Sequence, residues 1–275
     1  MQHTSIEEEW AEKEELCRRA CAQLDLTFSF VDPENYLVKI TRGEKKLFLN
    51  LQGLPTPNLM PLHKLARDKV FTKYILRDAD ITVARGEHFF VSGKGDWVSQ
   101  THVREDAFTY ADRIGYPVFV KPHNKARGLA SGIAHTPDEL ARRLSAVARE
   151  SHMALVEEVC QGREGRIFCF DGVVEFLYFK IANTSGVGNL SAGGTLVDYQ
   201  DSDIPRHYIE LGTRVHEAFG GGLRTFAVDF FEGEDSHKIV VLEVNGQPSL
   251  AGIYAHGEKD KALEIWVKTL HAYFA

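Results

Sequence analysis

The sequence predicts an α+β fold, and two stretches carry that prediction. Residues 226–231 (FAVDFF) and 240–252 (VVLEVNGQPSLAG) have the alternation of two strands joined by a short turn, which indicates an antiparallel hairpin. In residues 117–159 a strand, a glycine-rich turn, a second strand, a helix and a third strand follow one another. Locally paired strands with helices between them place the chain in the α+β class.

The N-terminal segment, residues 1–62, is predicted to hold one helix and three short strands. Apolar residues at helical spacing over residues 6–24 indicate the helix. Residues 51–61 (LQGLPTPNLMP) are interpreted as a linker because prolines and glycine interrupt regular structure. The strands are expected at Thr27–Val31, Tyr36–Thr41 and Lys46–Leu51, the last two forming a hairpin.

A second unit is predicted over residues 63–157. Its first helix includes Asp68 and Lys69, and its first strand is followed by the turn at residues 124–132 (NKARGLASG). The expected elements are helices over 63–77 and Arg104–Ile114, strands at Pro117–Pro122, Ile133–His135 and Met153–Val159, and, before the last strand, a helix that Thr136 caps.

The third predicted unit covers residues 158–275. Asp171-Gly172 lies between two alternating apolar segments and indicates a hairpin with a type I′ turn. Residues 183–195 (NTSGVGNLSAGGT) are expected to form a mobile surface loop because they hold almost no large side chains. Helices are predicted at Pro205–Phe219 and Lys261–Tyr273, before and after the acidic hairpin.

Composition and charge restrict the partners of the chain. Its 275 residues carry a formal net charge of −7 with Lys and Arg scattered, which argues against a nucleic-acid or anionic-membrane surface. With no apolar run of membrane-span length and no signal peptide at the N-terminus, a cytoplasmic protein is expected. The four cysteines form no CxxC pair, which argues against a zinc site of the finger type.

Three oxygen-bearing side chains on the acidic hairpin are candidate metal ligands. Alternate side chains of a strand share a face, so Ile239, Val241, Glu243 and Asn245 are expected on one side. The hairpin would bring Asp229 beside the last two of these. Two carboxylates and an amide oxygen are hard ligands of the kind that Mg²⁺ prefers. A hydrogen-bonded polar network at the strand ends fits the same pattern.

A candidate phosphate site begins at Lys121, which ends a predicted strand and precedes a loop of glycines and small residues. In such loops backbone N–H groups surround phosphate oxygens and a lysine adds charge, so Lys121, Gly128 and Ser131 are candidate contacts. The loop has neither the Walker A pattern nor the Rossmann fingerprint. An ordinary turn is the alternative interpretation.

Five segments, in this order, resemble the ATP-grasp superfamily, specifically its carboxylate–amine ligases. The N-terminal and lysine-loop parts are similar to glutathione-synthesis enzymes and cyanophycin synthetase, and the later parts to ribosomal-protein glutamate ligases and the lysine-biosynthesis ligases. The resemblance runs from about residue 63 to the C-terminus. The segments are Asp68-Lys69, VFVKPHNKARGLASGI (118–133), ALVEEVCQGREGRI (154–167), FAVDFF and VLEVNGQPSLAG.

The resemblance implies an ATP-grasp fold in which two α+β lobes sandwich ATP. It implies Mg²⁺, with Mn²⁺ as the alternative, on Asp229, Glu243 and Asn245. Lys69 and Lys121 match lysines that contact the ATP phosphates. The other implied positions are Glu157, Glu158 and Val159 at the adenine hinge, Glu164 at the ribose, Lys180 at the γ-phosphate and Arg224 at the substrate or acyl phosphate.

The implied reaction is an ADP-forming ligation of two small molecules. A carboxylate, of an amino acid or peptide, would take the γ-phosphoryl group of ATP, and an amine would then displace phosphate from the acyl phosphate. Residues 183–195 would act as a lid that excludes water. Two alternatives stay open, a kinase that phosphorylates a small molecule and a non-catalytic nucleotide-binding module.

The segment ahead of Asp68 departs from the family pattern. Many members carry a full α/β domain there, whereas this sequence predicts a shortened N-terminal segment of one helix and a few strands. A partner subunit that completes the site is therefore a hypothesis. Trp10 and the apolar face of the first helix suggest a homodimer formed through this segment.

Overall fold

A computed structural model provides the structure of the chain. The predicted loop at 183–195 lies outside the described residues except for Thr195, and so do residues 234–236 of the predicted hairpin turn. The described residues are 6–51, 53–92, 101–125, 128–181, 195–233, 237–250, 253–254 and 256–275.

Three antiparallel sheets organise the described residues. The N-terminal sheet has the order β1-β2-β3. A second sheet has the order β4-β7-β5-β6, and a third the order β10-β9-β8-β11-β12. The strands are β1 Thr27–Phe30, β2 Leu37–Arg42, β3 Lys45–Asn50, β4 Gly86–Phe90, β5 Val118–Pro122, β6 Gly132–Ala134, β7 Met153–Glu158, β8 Arg163–Phe170, β9 Val173–Ile181, β10 Thr195–Gln200, β11 Thr225–Glu232 and β12 Ile239–Asn245.

The helices lie between and around these sheets. Within the described stretches, no helix combines the length and apolarity needed to cross a membrane. The boundaries at residues 62/63 and 157/158 stay a prediction. The helices are α1 Ile6–Gln23, α2 Met60–Arg67, α3 Lys69–Asp78, α4 Asp106–Ile114, α5 Pro137–Glu150, α6 Arg206–Ala218 and α7 Lys259–Phe274.

The predicted single helix over residues 63–77 is wrong, because the chain forms two helices that meet at Asp68. Asp68 has the extended φ and ψ of −96° and 110°. Its carboxylate accepts the backbone N–H groups of Val70 and Phe71 at 2.9 and 3.2 Å, so it caps α3. A short acidic side chain that binds free N–H groups starts a new helix instead of continuing the first.

Loss of this cap is expected to destabilise the protein without unfolding it. Asp68→Ala removes the acceptor for two backbone N–H groups at the start of α3. The expected loss is about 0.5–2 kcal/mol of unfolding free energy, the usual effect of removing an N-cap. Urea denaturation measures it, with Asp78→Ala at the exposed far end of the same helix as the control. Equal stability of the two variants would contradict the capping role.

The five-stranded sheet uses its two faces differently. One face packs against α3 and α6 in an apolar core that includes Val228 and Phe230. On the other face, Phe168 and Phe176 pack against α1, α7 and the N-terminal sheet. These two rings lie toward the β8–β9 turn, where Asp171 and Gly172 have the positive φ values of a type I′ hairpin, 49° and 78°. The other end of the same face is left for polar residues.

The expected alternation along β12 is wrong before Glu243, because the strand contains a bulge. Asp229 pairs with Glu243, whereas the next residue of β11, Phe230, pairs with Val241. Leu242 is therefore the extra residue. As a result Val241 and Val244, three positions apart, contribute to the same core, and Glu243 lies on the opposite face.

The apolar helix face that suggested a homodimer is used within the chain. Leu16, Cys17 and Ala20 of α1 are buried in the core that α7 shares. Trp10 packs edge-to-face on Tyr36, with ring centroids 5.4 Å apart. The structure therefore removes the reason for the dimer hypothesis.

Candidate active site

The polar end of the five-stranded sheet is centred on Asp229 of β11. The buried carboxylate of Asp229 lies next to Arg166 of β8. Arg166 donates two hydrogen bonds to it, Nε to Oδ1 at 2.8 Å and a terminal nitrogen to Oδ2 at 2.6 Å. Lys180 of β9 donates a third, to Oδ1 at 2.6 Å. One buried carboxylate thus balances two cations, the buried Lys180 and the partly buried Arg166.

These contacts keep all the partners ionised. Burial by itself raises the pKa of Asp229, but the charges of Arg166 and Lys180 outweigh it and hold the pKa well below its usual value. Burial likewise lowers the pKa of Lys180, and the Asp229 charge reverses that effect and raises the pKa above its usual value. The charges therefore stabilise one another.

Glu164 and Glu243 extend the charged surface on either side. Glu164 lies opposite Lys180 in the β8–β9 pairing and accepts a hydrogen bond from its Nζ at 2.7 Å. Glu243 of β12, whose side chain is 32% exposed, forms a 3.1 Å ion pair with Lys69. Asn245, two residues on, accepts the backbone N–H of Gln247 at 3.1 Å. The hairpin thus brings together the three predicted metal ligands.

A second charged cluster surrounds Glu157 at the end of β7. Lys121 of β5 pairs with its Oε2 at 2.7 Å, and Lys73 of α3 pairs with its Oε1. Lys73 also donates to the carbonyl of Ala84 at 2.8 Å, and Lys121 to that of Leu242 at 3.4 Å. Lys121 thereby links the four-stranded sheet to the bulge in β12.

The pKa values in this cluster follow from burial and charge. Burial raises the pKa of Glu157, but Lys121 and Lys73 outweigh it, and the net shift is downward. Burial lowers the pKa of Lys121, but the Glu157 and Glu243 charges raise it overall. For Lys73, burial outweighs the Glu157 charge and the pKa is lowered.

The predicted phosphate loop lies close to the first residue of α3. Lys69 Nζ donates to the carbonyl of Lys125 at 2.7 Å, which ties the start of the loop to the Lys69–Glu243 ion pair. Gly128 has a positive φ of 70° and accepts the backbone N–H of Ser131 at 3.0 Å, so this part is a tight turn. Residues 126 and 127 lie outside the described residues.

The two other predicted hinge residues lie at the end of β7. Glu158 accepts the backbone N–H of Arg85 at 2.7 Å and is partly exposed. Val159 follows directly after the strand and is half-buried. Both are therefore near Glu157, as the sequence predicts, and their roles stay a prediction.

Arg224 is the one predicted site residue that lies away from both charged clusters. Its guanidinium forms a bidentate ion pair with Asp171, at 2.6 and 2.7 Å, beside the β8–β9 turn. It precedes Asp229 by five positions, or about 17 Å along an extended strand. We therefore remove Arg224 from the candidate site.

Two further residues belong to the site. By its place in the sequence Arg166 resembles a common arginine of the family, although an exposed strand-end arginine fits the sequence equally well, and Lys73 was not predicted. The pairing of β8 with β11 brings Arg166 next to Asp229, and this register cannot be read from either strand alone. Lys73 follows Lys69 by four positions on α3, so the two share a helix face. That spacing is a signal from which Lys73 could have been found.

The comparison with family models covers the cluster around Glu157. Residues 68–162 match the family described as "Carbamoyl-phosphate synthase L chain, ATP binding domain". A D-alanine–D-alanine ligase from Bacillus anthracis superposes with a TM-score of 0.57 at 19% identity, over 78% of this chain and 71% of that chain. The ATP-grasp ligase PsnB, complexed with a minimal precursor, gives 0.55 at 18% identity, over 77% and 62%. The chain has the ATP-grasp fold.

The resemblance to ATP-grasp proteins is thus confirmed at the level of the fold, as is the α+β class. A curated D-alanine–D-alanine ligase of Chlorobium chlorochromatii is 24% identical to this chain over 244 residues. The match covers 83% of this chain and 64% of the ligase. The chain therefore spans somewhat less than two thirds of the length of that relative.

Proposed function

We propose that the chain is an ATP-dependent, ADP-forming ligase that joins a carboxylate to an amine through an acyl phosphate. The pairing of Asp229 with Glu243 across the β11–β12 hairpin carries the proposal, because Lys180 and Lys69 bring positive charge to the same end of the sheet. The similarity to D-alanine–D-alanine ligases supports an amino acid or a peptide as the carboxylate.

In this proposal ATP lies between the units at residues 63–157 and 158–275. Glu157, Glu158 and Val159 border the adenine, Glu164 binds the ribose, and Lys69, Lys121 and the Gly128–Ser131 turn bind the phosphates. An ammonium group has three N–H donors. The contacts of Lys121 with Glu157 and Leu242, its partners among the described residues, leave one donor for a phosphate oxygen.

The donor set of the hairpin fits Mg²⁺ or Mn²⁺. Asp229, Glu243 and Asn245 offer oxygen atoms, the ligand type that these hard cations prefer. Glu243 is the most available of them, because it is partly exposed and, among the described residues, forms its ion pair with Lys69. Asp229 would share its oxygens with Arg166 and Lys180. The bound metal would supply positive charge to the β- and γ-phosphates.

The residues then support two displacement steps. A carboxylate oxygen of the first substrate attacks the γ-phosphorus, and the bond to the bridging oxygen breaks, so that ADP leaves with the electron pair. Lys180 and Lys69 neutralise charge on the transferring group. The amine next attacks the acyl carbon, phosphate leaves, and the nitrogen loses a proton. Positioning and charge supply most of the catalysis.

A groove next to the proposed metal ligands is the proposed binding site for the two substrates. Its volume is about 430 Å³, and β3 and Gln247 form part of its lining. His63 also lines it, with Nδ1 3.3 Å from the carbonyl oxygen of Gly246, the residue after Asn245. We place the carboxylate and amine substrates in this groove, since Gln247 and His63 bring its lining to the end of the strand that carries Glu243 and Asn245.

Removal of the Lys121 charge is expected to weaken ATP binding about 10- to 100-fold, because a hydrogen bond to a charged group contributes about 1.5–3 kcal/mol. In Lys121→Met, Glu157 keeps Lys73 as a partner, which limits the damage to folding. Calorimetric titration with ATP and Mg²⁺ measures the change. Lys45→Met, on the exposed N-terminal sheet, is the control. Unchanged affinity in Lys121→Met would contradict a phosphate contact.

The experiment that tests the function is ADP and phosphate release from ATP–Mg²⁺ in the presence of pooled amino acids and dipeptides. Release that requires both a carboxylate and an amine substrate, and that Glu243→Gln removes, is the expected result. Release with one hydroxyl compound would instead indicate a kinase. ATP binding without any release, over the whole pool, would favour a nucleotide-binding module.

A further inference from the structure

We infer that Glu87, His88 and His102 form a binding site for a borderline divalent metal ion such as Zn²⁺, apart from the residues proposed to bind ATP. One ligand atom from each side chain lies within 4.8 Å of the other two. The two sites differ in ligand type, because this one combines imidazole nitrogens with a carboxylate. The ligase proposal assigns these three residues no role.

The backbone holds the three residues together. Glu87 and His88 are consecutive in β4, the edge strand of the four-stranded sheet. Phe90 of the same strand donates its N–H to the carbonyl of His102 at 2.7 Å and forms a parallel bridge with Val103. His102 therefore lies beside the strand because of backbone pairing, and its position does not depend on a metal ion.

His102 has the tautomer that a metal ligand needs. Its Nδ1 is 3.1 Å from the carbonyl oxygen of His88. Since a carbonyl can only accept, Nδ1 carries the hydrogen and Nε2 keeps its lone pair. A backbone carbonyl that fixes the ring in this way is the usual outer contact of a metal-bound histidine. His102 also has a positive φ of 57°, a conformation uncommon outside glycine.

The second imidazole is parallel to the first. The rings of His88 and His102 stack with centroids 4.9 Å apart and an angle of 18° between their planes. The hydroxyl of Tyr74 lies 3.5 Å from Nδ1 of His88 and offers that ring an outer contact.

The ligand set predicts which cation binds. Two imidazoles and one carboxylate resemble the three protein ligands of open zinc sites, in which water takes the fourth position. Mg²⁺ and Ca²⁺ prefer sites made of oxygen atoms alone. The Glu87 carboxylate is 3.6 Å from a guanidinium nitrogen of Arg77, a partner on α3 that would orient it. A bound ion would fasten β4 to the residues around His102.

The test is calorimetric titration of the EDTA-treated protein with Zn²⁺ alone, without nucleotide. Glu243→Gln serves as the parent, so that binding at the proposed Mg²⁺ site is weakened from the start. We expect one Zn²⁺ per chain and a rise in the unfolding temperature. Both effects should disappear in His102→Gln, His88→Ala and Glu87→Gln. They should persist in the control His135→Ala, an exposed histidine elsewhere in the same sheet region.

Circular dichroism in EDTA checks that each variant is folded. His102 is the exposed member of the three, so its substitution is the least damaging to folding. Zn²⁺ binding that is equally tight in His102→Gln and in the parent would overturn the assignment, and so would a parent that binds no Zn²⁺. Neither result depends on ATP turnover. Failure of this proposal is therefore distinguishable from failure of the ligase proposal.

Discussion

Glu243→Gln is expected to lower substrate-dependent ADP release about 10²- to 10³-fold, the range for loss of one preorganised electrostatic contact. The amide keeps the volume of the side chain and removes the charge offered to the metal ion. The free energy of unfolding should change by no more than about 1 kcal/mol, since partly exposed ion pairs such as Lys69–Glu243 contribute little. Coupled ADP assays and urea denaturation measure the two quantities.

Glu264→Gln is the matched control for that variant. Glu264 is also a partly exposed carboxylate that pairs with lysines, Lys261 and Lys268, but it lies on α7. Its substitution should leave ADP release unchanged. Full activity in Glu243→Gln, or equal loss in both variants, would show that the carboxylate at 243 is not the metal ligand proposed.

Asp229→Asn is expected to behave differently, losing both activity and about 3–5 kcal/mol of unfolding free energy, the usual effect of breaking a buried ion pair from one side. From the sequence alone the two substitutions are alike, because each removes one metal charge at constant volume. The structure separates them. Asp229 balances the charges of the partly buried Arg166 and the buried Lys180, and an amide would leave Arg166 without its ion-pair partner and Lys180 with Glu164 alone.

The pH dependence of stability tests the same contacts. The pKa of Asp229 is lowered by folding, so its contribution is complete above the carboxyl's unfolded pKa of 3.8 and is lost as the pH falls toward the folded value. The difference in unfolding free energy between the wild type and Asp229→Asn should therefore shrink below pH 3.8. A difference that stays constant in acid would contradict the assigned charge balance.

A second substitution tests whether Asp229→Asn loses stability because it leaves the charge of Arg166 without a partner. Adding Arg166→Met to Asp229→Asn removes the cation that loses its ion-pair partner, so the double variant should regain part of the lost stability. Chemical denaturation of the four proteins in this cycle gives the coupling energy. Strictly additive losses would mean that the two side chains do not interact as the structure describes.

Local turn chemistry made part of the fold predictable. Asp171-Gly172 indicated its hairpin because both positions need a positive φ, which these residue types tolerate. The pairing of Asp229 with Glu243 was predicted in a similar way, from a short turn between two strands that each carry an acidic residue. Strand β4 (GEHFF) was missed because it has no apolar alternation, and β10 because it follows a loop rich in glycine.

Contacts between distant segments were much harder to predict. The helix break at Asp68 depends on whether a carboxylate caps N–H groups or points outward, and the helical spacing around it is compatible with both. Arg224 and Arg166 have similar local sequence surroundings, yet the β8–β11 register places one beside Asp171 and the other beside Asp229. Strand register is a tertiary property, which explains why only one of the two belongs to the site.

The bulge at Leu242 decides which face of β12 carries Glu243. Because side chains alternate along a strand, a β12 that kept Leu242 but lost the bulge would place Glu243, two residues after Val241, on the face of Val241 and direct a carboxylate into apolar packing. Exchange of Leu242 for another apolar residue would keep the backbone carbonyl that Lys121 contacts. The extra residue in β12, more than the identity of its side chain, thus keeps Glu243 on the polar face of the sheet.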